Sequence, residues 1–238
     1  MSSGKFSPSR RTILMATAAA VPIASIPLVR QAHADGLEGV SLNQYQPVFF
    51  SAPEWQFILA ACDRLIPAEG RGPGALETNV PVFIDQQLHN GLGDDVYMDG
   101  PHPENPAPTL GFQGTLTPQQ SYRAGIKLSQ QYAKQKHGKQ FEQLPDADKD
   151  AMLTALQKNE ISFAELGEPA LKASSFFNQL LGDAKNGYLA DPMYGGNKDM
   201  KAWVAIGFPG ARAAFTEWVD MHNVKYPLGP VSVSGKRA

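Results

Sequence analysis

Cysteine, histidine and paired carboxylates are where a sequence first shows chemistry, and here they are sparse. The single cysteine, Cys62, excludes an internal disulfide, a zinc ribbon, a Cys-ligated iron–sulfur cluster and haem attached through Cys-x-x-Cys-His. His89, His102, His137 and His222 stand apart, with no two at the spacing that presents a pair of imidazoles to one metal. His89 and His137 fall where helix C-termini are expected, a place where an imidazole interacts with the helix dipole. His102 lies in a stretch expected to be a loop, where functional residues are often carried. Asp95 to Gly100 has the outline of a calcium loop, but Tyr97 falls at the third position and Pro106 at the twelfth. Gly70-Arg71-Gly72-Pro73-Gly74 puts proline where a dinucleotide loop needs free N–H donors. Neither a Gly-Lys-Ser/Thr phosphate loop nor a Gly-x-Ser-x-Gly elbow is present. The expectation is a chain with no catalytic, cofactor-binding or metal-binding residues of its own.

The densest information lies in Asp191-Pro192-Met193-Tyr194-Gly195-Gly196-Asn197-Lys198-Asp199-Met200, followed by Trp203 and by Ile206-Gly207-Phe208-Pro209-Gly210-Ala211-Arg212. The glycines permit positive φ or close backbone approach, and Pro192 and Pro209 stiffen what lies between. Asn197 or Asp199 can cap the helix that follows. Tyr194, Trp203 and Phe208 are costly to leave in water, so two readings stand side by side. They fold back on the core, or Tyr194, Gly195, Gly196, Asn197, Trp203, Phe208 and Pro209 form a rigid platform for another chain.

The elements that would position these residues are helical. Ser51-Ala52-Pro53-Glu54 has capping-box spacing, and Trp55, Ile58, Leu59, Cys62 and Leu65 recur at helical period until Pro67. Asn79 and Pro81 open a second helix that closes at Gly91, although Val80 to Ile84 alone also reads as a strand. Gly91 to Gly114 lacks any helical period and holds Pro101, Pro103, Pro106 and Pro108; a loop of that length is usually functional. Thr117-Pro118-Gln119-Gln120 starts a long helix to Gly138, and Leu144 to Asn159 reads as the next. Helices are also expected over Ala170 to Lys185, Met200 to Ile206 and Ala211 to Val224. The sum is an all-α domain of about six helices with long Pro/Gly-rich loops, spanning residues 49–226 between an extended arm (35–48) and a flexible tail (227–238).

Residues 1–34 read as an address. A basic segment to Arg11, an uncharged apolar run from Ile13 to Val29 and Ala32-His33-Ala34 follow the order of a secretory signal, with cleavage expected before Asp35. Pro22 and Pro27 inside that short run argue against a permanent membrane helix. Ser9-Arg10-Arg11-Thr12-Ile13-Leu14 resembles a twin-arginine signal, with Ile13 and Met15 in place of its Phe and Lys. That pathway carries proteins already folded. Lys5, Arg10, Arg11 and Arg30 belong to the leader, which holds no acid. Of 21 basic and 23 acidic residues, 17 and 23 then remain, a net of −6. So acidic a body argues against nucleic acid as a partner.

Phe49-Phe50 to Pro67, Gly72-Pro73-Gly74-Ala75, Val80-Pro81-Val82-Phe83-Ile84-Asp85 and the stretch from Asp191 to Arg212 together resemble one family. It is the small (third, or gamma) subunit of the membrane-bound gluconate 2-dehydrogenase type, over about Phe49 to Asp220. The resemblance implies a non-catalytic subunit in a complex that oxidises a sugar acid or sugar. Its partners would be a large subunit holding FAD, a multihaem cytochrome c subunit and the twin-arginine machinery, recognised through Ser9, Arg10, Arg11 and Leu14. The small subunit would assist folding of the large one and carry it to the periplasm, where the complex is held at the cytoplasmic membrane. The alternative is an independent periplasmic enzyme or small-molecule binding protein using the loop around His102 and the turn from Tyr194 to Asn197.

Overall fold

The structure, a computed structural model, describes residues 37–70, 72–91, 107, 109, 115–212, 214–224 and 226–238. The leader, the cleavage site, the loop with His102 and the calcium-like segment lie outside the described residues. Among the described residues six α-helices form and no strand does: α1 (Ala52–Leu65), α2 (Val80–His89), α3 (Pro118–His137), α4 (Asp146–Gln157), α5 (Ala173–Leu189) and α6 (Lys201–Ile206). The fold is all-α, as the periodicity implies.

Several helix starts have a local cause. The Ser51 N–H donates to the Glu54 carboxylate at 2.9 Å, and Thr117 and Gln120 satisfy each other's backbone N–H groups at 3.2 and 2.9 Å. Asn79 precedes α2 in a left-handed conformation (φ 57°), and its side chain donates instead to the Val40 carbonyl at 2.7 Å. Val80 to Ile84 are helical, which removes the strand reading. Asp146 and Asp148 sit in the first turn of α4, where the dipole favours them.

Helix α5 is the hub, packing against α1, α2, α3, α4 and α6. Phe176, fully buried on α5, meets Phe57, Tyr122 and Phe163 with ring centroids 6.0–6.4 Å apart. Helix α3 approaches so closely at Gly125 that an added Cβ would lie 2.3 Å from the Phe176 ring. Two phenol–carboxylate pairs are built into this core. Tyr122 donates to Asp183 at 2.8 Å, and burial pushes the Asp183 carboxyl up to about 6 although that hydrogen bond favours its charge. Cys62 is fully buried, and burial, then the nearby Asp183 and Asp63 charges, push its thiol up.

The second pair ties the arm to the core. Asp85 on α2 is fully buried and accepts four hydrogen bonds, from the Tyr45 hydroxyl (2.6 Å) and from the N–H groups of Val48 (2.7 Å), Phe49 (3.0 Å) and Phe50 (2.9 Å). Burial and the bond to Asp85 both push the Tyr45 phenol up. One carboxylate thereby fixes the backbone that leads into α1. Leu37, Val40 and Leu42 also pack against the core.

One expected helix does not form. Among the described residues of Ala211 to Val224 only a single 3-10 turn, Thr216–Trp218, is present. Isolated helices are marginal, and most helix stability comes from burying an apolar face. Here Phe215, Val219, Met221 and Val224 are all exposed, so such a face has nothing to rest on. Arg212 instead gathers this segment, its guanidinium 4.7 Å from the Phe215 ring and 5.0 Å from that of Tyr226. Residues 226–238 return to the body: Val231 bridges Gly210 and Arg237, and Ser232 is buried.

Candidate partner-docking surface

The stretch from Asp191 to Gly210 packs its first half inward. Asp191 caps a 3-10 turn (Pro192–Tyr194) by accepting from the Met193 N–H at 3.1 Å. Gly195 then takes a φ of 89°, which suits glycine. At Gly196 the backbone lies directly on α5, where an added Cβ would fall 2.2 Å from the Gly187 carbonyl oxygen. Asn197 is fully buried. Its amide donates to the Ala190 carbonyl and accepts from the Ala202 N–H, both at 3.0 Å, locking the turn to the start of α6. The Lys198 N–H adds a bond to the Thr78 carbonyl at 3.1 Å. Asn197, Asp199 and Met200 all have positive φ, a costly run for residues with side chains.

Trp203 folds back. It is buried, and its indole N–H donates to the Leu189 carbonyl at 2.9 Å. Phe208 packs edge-on against it, ring centroids 5.0 Å apart, yet remains 44% exposed. Tyr194 is likewise half exposed, and Pro209 half-buried. The two readings of the aromatics therefore divide residue by residue: Gly195, Gly196, Asn197 and Trp203 shape the turn from inside, while Tyr194 and Phe208 face outward.

The outward residues have company. Among the described residues, every exposed large hydrophobic residue except Val48 lies between Leu189 and Val233. Val204 and Ile206 on α6 join Tyr194 and Phe208, followed by the apolar residues of 215–233. So many exposed apolar residues in one stretch of chain, rather than single exposed leucines or valines scattered over it, make this stretch the candidate interaction surface. The sequence does carry a signal for Val204 and Ile206. Ala202 to Ile206 is apolar all round, and a helix that short buries one face at most.

A second set of contacts borders this surface. The Val233 N–H donates to Asp191 at 2.7 Å, and Ser234 donates to Glu38 at 2.8 Å. Lys236 forms an ion pair with the same Glu38, whose side chain is 7% exposed. Burial pushes the Glu38 carboxyl up, but the hydrogen bonds from Lys236 and Ser234 and the Lys236 charge outweigh it and leave the group below its ordinary value. A cavity of about 170 Å³ remains here, lined by Glu38, Pro192, Asp199, Met200, Lys236 and Arg237.

The other residues singled out from sequence stay dispersed. His89 and His222 are exposed, and His137, at the end of α3, lies 3.9 Å from Asp148. Among the described residues no three His, Cys, Asp or Glu side chains come together as metal ligands, and no helix is long and apolar enough to cross a membrane.

A family model described as gluconate 2-dehydrogenase subunit 3 matches residues 52–210. The match opens at the first residue of α1 and closes at the glycine that ends the stretch after α6. No curated protein and no solved structure matches the chain.

Proposed function

Since the chain belongs to the gluconate 2-dehydrogenase subunit 3 family, we propose that it is the non-catalytic small subunit of a membrane-bound flavoprotein dehydrogenase acting on a sugar acid or sugar. A numbered subunit of a dehydrogenase implies a larger catalytic partner. In this reading the large subunit holds FAD, a multihaem cytochrome c subunit accepts its electrons, and this chain holds neither group. Its own work is assembly and export. The leader with Ser9-Arg10-Arg11 and Leu14 would take the folded pair through the twin-arginine pathway to the periplasmic face of the cytoplasmic membrane.

The observation that supports the partnership is the run of exposed apolar side chains along the chain from Leu189 to Val233, Tyr194, Val204, Ile206 and Phe208 among them. Such side chains favour burial against a second surface, and aromatics of this kind anchor interface centres. The deciding experiment replaces Arg10 and Arg11 by lysine and follows both this chain and the co-expressed flavoprotein through cell fractionation. Both should stay in the cytoplasm. Normal export of the flavoprotein in that strain would overturn the carrier role.

A further inference from the structure

Glu38 stands four residues beyond Ala34, the expected end of the leader. It is held from the far end of the chain, by Ser234 at 2.8 Å across 196 residues of sequence and by Lys236. We propose that residues 227–238 form a clasp over segment 37–40, so that the chain next to the leader is fixed only once the whole chain has folded. The export half of this inference rests on the twin-arginine reading above; the clasp itself rests on the contacts.

Those contacts form a closed path. The clasp is anchored to the stretch after α6 by the Ala211 N–H to the Val231 carbonyl (2.7 Å) and by the Val231 N–H to the Pro209 carbonyl (3.2 Å). It is anchored to the turn before α6 by Val233 and Asp191 (2.7 Å). Its own bend is closed by the Ser232 N–H on the Lys236 carbonyl (2.8 Å), which presents Ser234 and Lys236 side by side. Segment 37–40 in turn is tied to the helical body by Asn79, at the head of α2, on the Val40 carbonyl (2.7 Å). Closing a loop of this length is entropically costly and is repaid only after shorter-range structure exists. Contact between Glu38 and residues 234–236 thus forms after α2, α5 and the turn at Asp191 are in place. A clasp so placed reports complete folding at the root of the leader, the property that a pathway for folded cargo requires.

The test uses the full chain with Ser234→Ala and Lys236→Met combined, and a charge exchange of Glu38→Lys with Lys236→Glu. Amide hydrogen exchange on the purified protein reads the clasp, and fractionation of expressing cells reads export. In the first variant, exchange over 37–40 should rise roughly tenfold, the ratio that about 1.4 kcal/mol produces. Exchange in α1 to α5 should stay unchanged, and the exported fraction should fall. The charge exchange should restore both readouts. Unchanged exchange over 37–40 would overturn the clasp. Raised exchange with undiminished export would overturn its coupling to export. The Arg10→Lys, Arg11→Lys chain keeps the two ideas apart: if it is exported normally the leader reading fails, while the exchange data still judge the clasp.

Discussion

Helices α1 to α5 and the chain beyond Leu189 spend their apolar residues in opposite ways. In the helical body Phe57, Phe141, Phe163 and Phe176 are all sealed, and even the polar groups Asp85 and Tyr122 have partners inside. Beyond Leu189 only a few large residues such as Trp203 and Met200 are buried, and the rest are half-buried or exposed. Backbone conformation leans the same way: in the body Asn79 and Asn159 take positive φ singly, whereas Asn197, Asp199 and Met200 do so within one short turn. The first region is shaped by its own stability. The second keeps a costly shape that fits the docking role proposed above.

The widest gap between the regions should open with phenylalanine. Phe176→Ala should destabilise the isolated chain by about 3–5 kcal/mol in urea unfolding, as loss of a large core side chain does. Phe208→Ala should cost about 1 kcal/mol, the worth of its edge-on contact with Trp203, and, on the docking role proposed above, should weaken co-purification with the large subunit. Equal stability losses at the two positions would erase the distinction.

Asp85→Ala should follow, with a loss of about 3 kcal/mol, because a buried hydroxyl and backbone donors lose their acceptor together. The same unfolding titration measures it, and Asp85→Asn, keeping one acceptor oxygen, should fall between.

Acid should act with opposite sign on the helical body and on the contact that the chain beyond Leu189 makes with Glu38. Asp183 has a folded value of about 6 against an ordinary 3.8, so its contribution is full below the ordinary value and is lost as pH rises through about 6. Glu38 lies below its ordinary 4.5, so its contribution is present above that value and is lost as pH falls through the lowered one. Melting curves from pH 7 down to about 3 should therefore show Asp183→Asn removing a gain between about 6 and 4 and Glu38→Gln removing a loss below about 4.5. Matching slopes in both variants would contradict this assignment.

The smallest effect belongs to Arg64, which bonds both carboxylate oxygens of Asp150 at 2.8 Å on the exposed flank of α1. Arg64→Lys should cost about 1 kcal/mol or less, and that only at low salt.

Much of the body could be read from the sequence because its signals are local. The capping pairs Ser51/Glu54 and Thr117/Gln120, and the acids opening α4, act within one turn of the residues they stabilise. Helix α5 runs four residues past the expected Lys185, to Leu189, because Gly187 is held in the helix by its contact with Gly196, a partner invisible to periodicity. The outward face of α6 was half legible: the aromatic turn pointed to it, but only packing separates Trp203 from Phe208. Ala211 to Val224 misled for the same reason, since a helical stripe promises a face without providing anything to cover it. Asp85 stands out in the sequence only as part of a family motif and Glu38 not at all, and neither role is visible there because each joins segments at least 35 residues apart.

Cys62 gives the molecule a built-in clock. Its thiol is sealed beneath α1 beside Tyr122 and Asp183, so an alkylating reagent reaches it only when that packing opens. With one thiol per chain, each molecule gains a single mass increment, and the rate of that gain counts core openings directly, without dye, label or engineered probe. The same count, taken with and without the proposed large subunit bound, would weigh how far its binding quiets the interior.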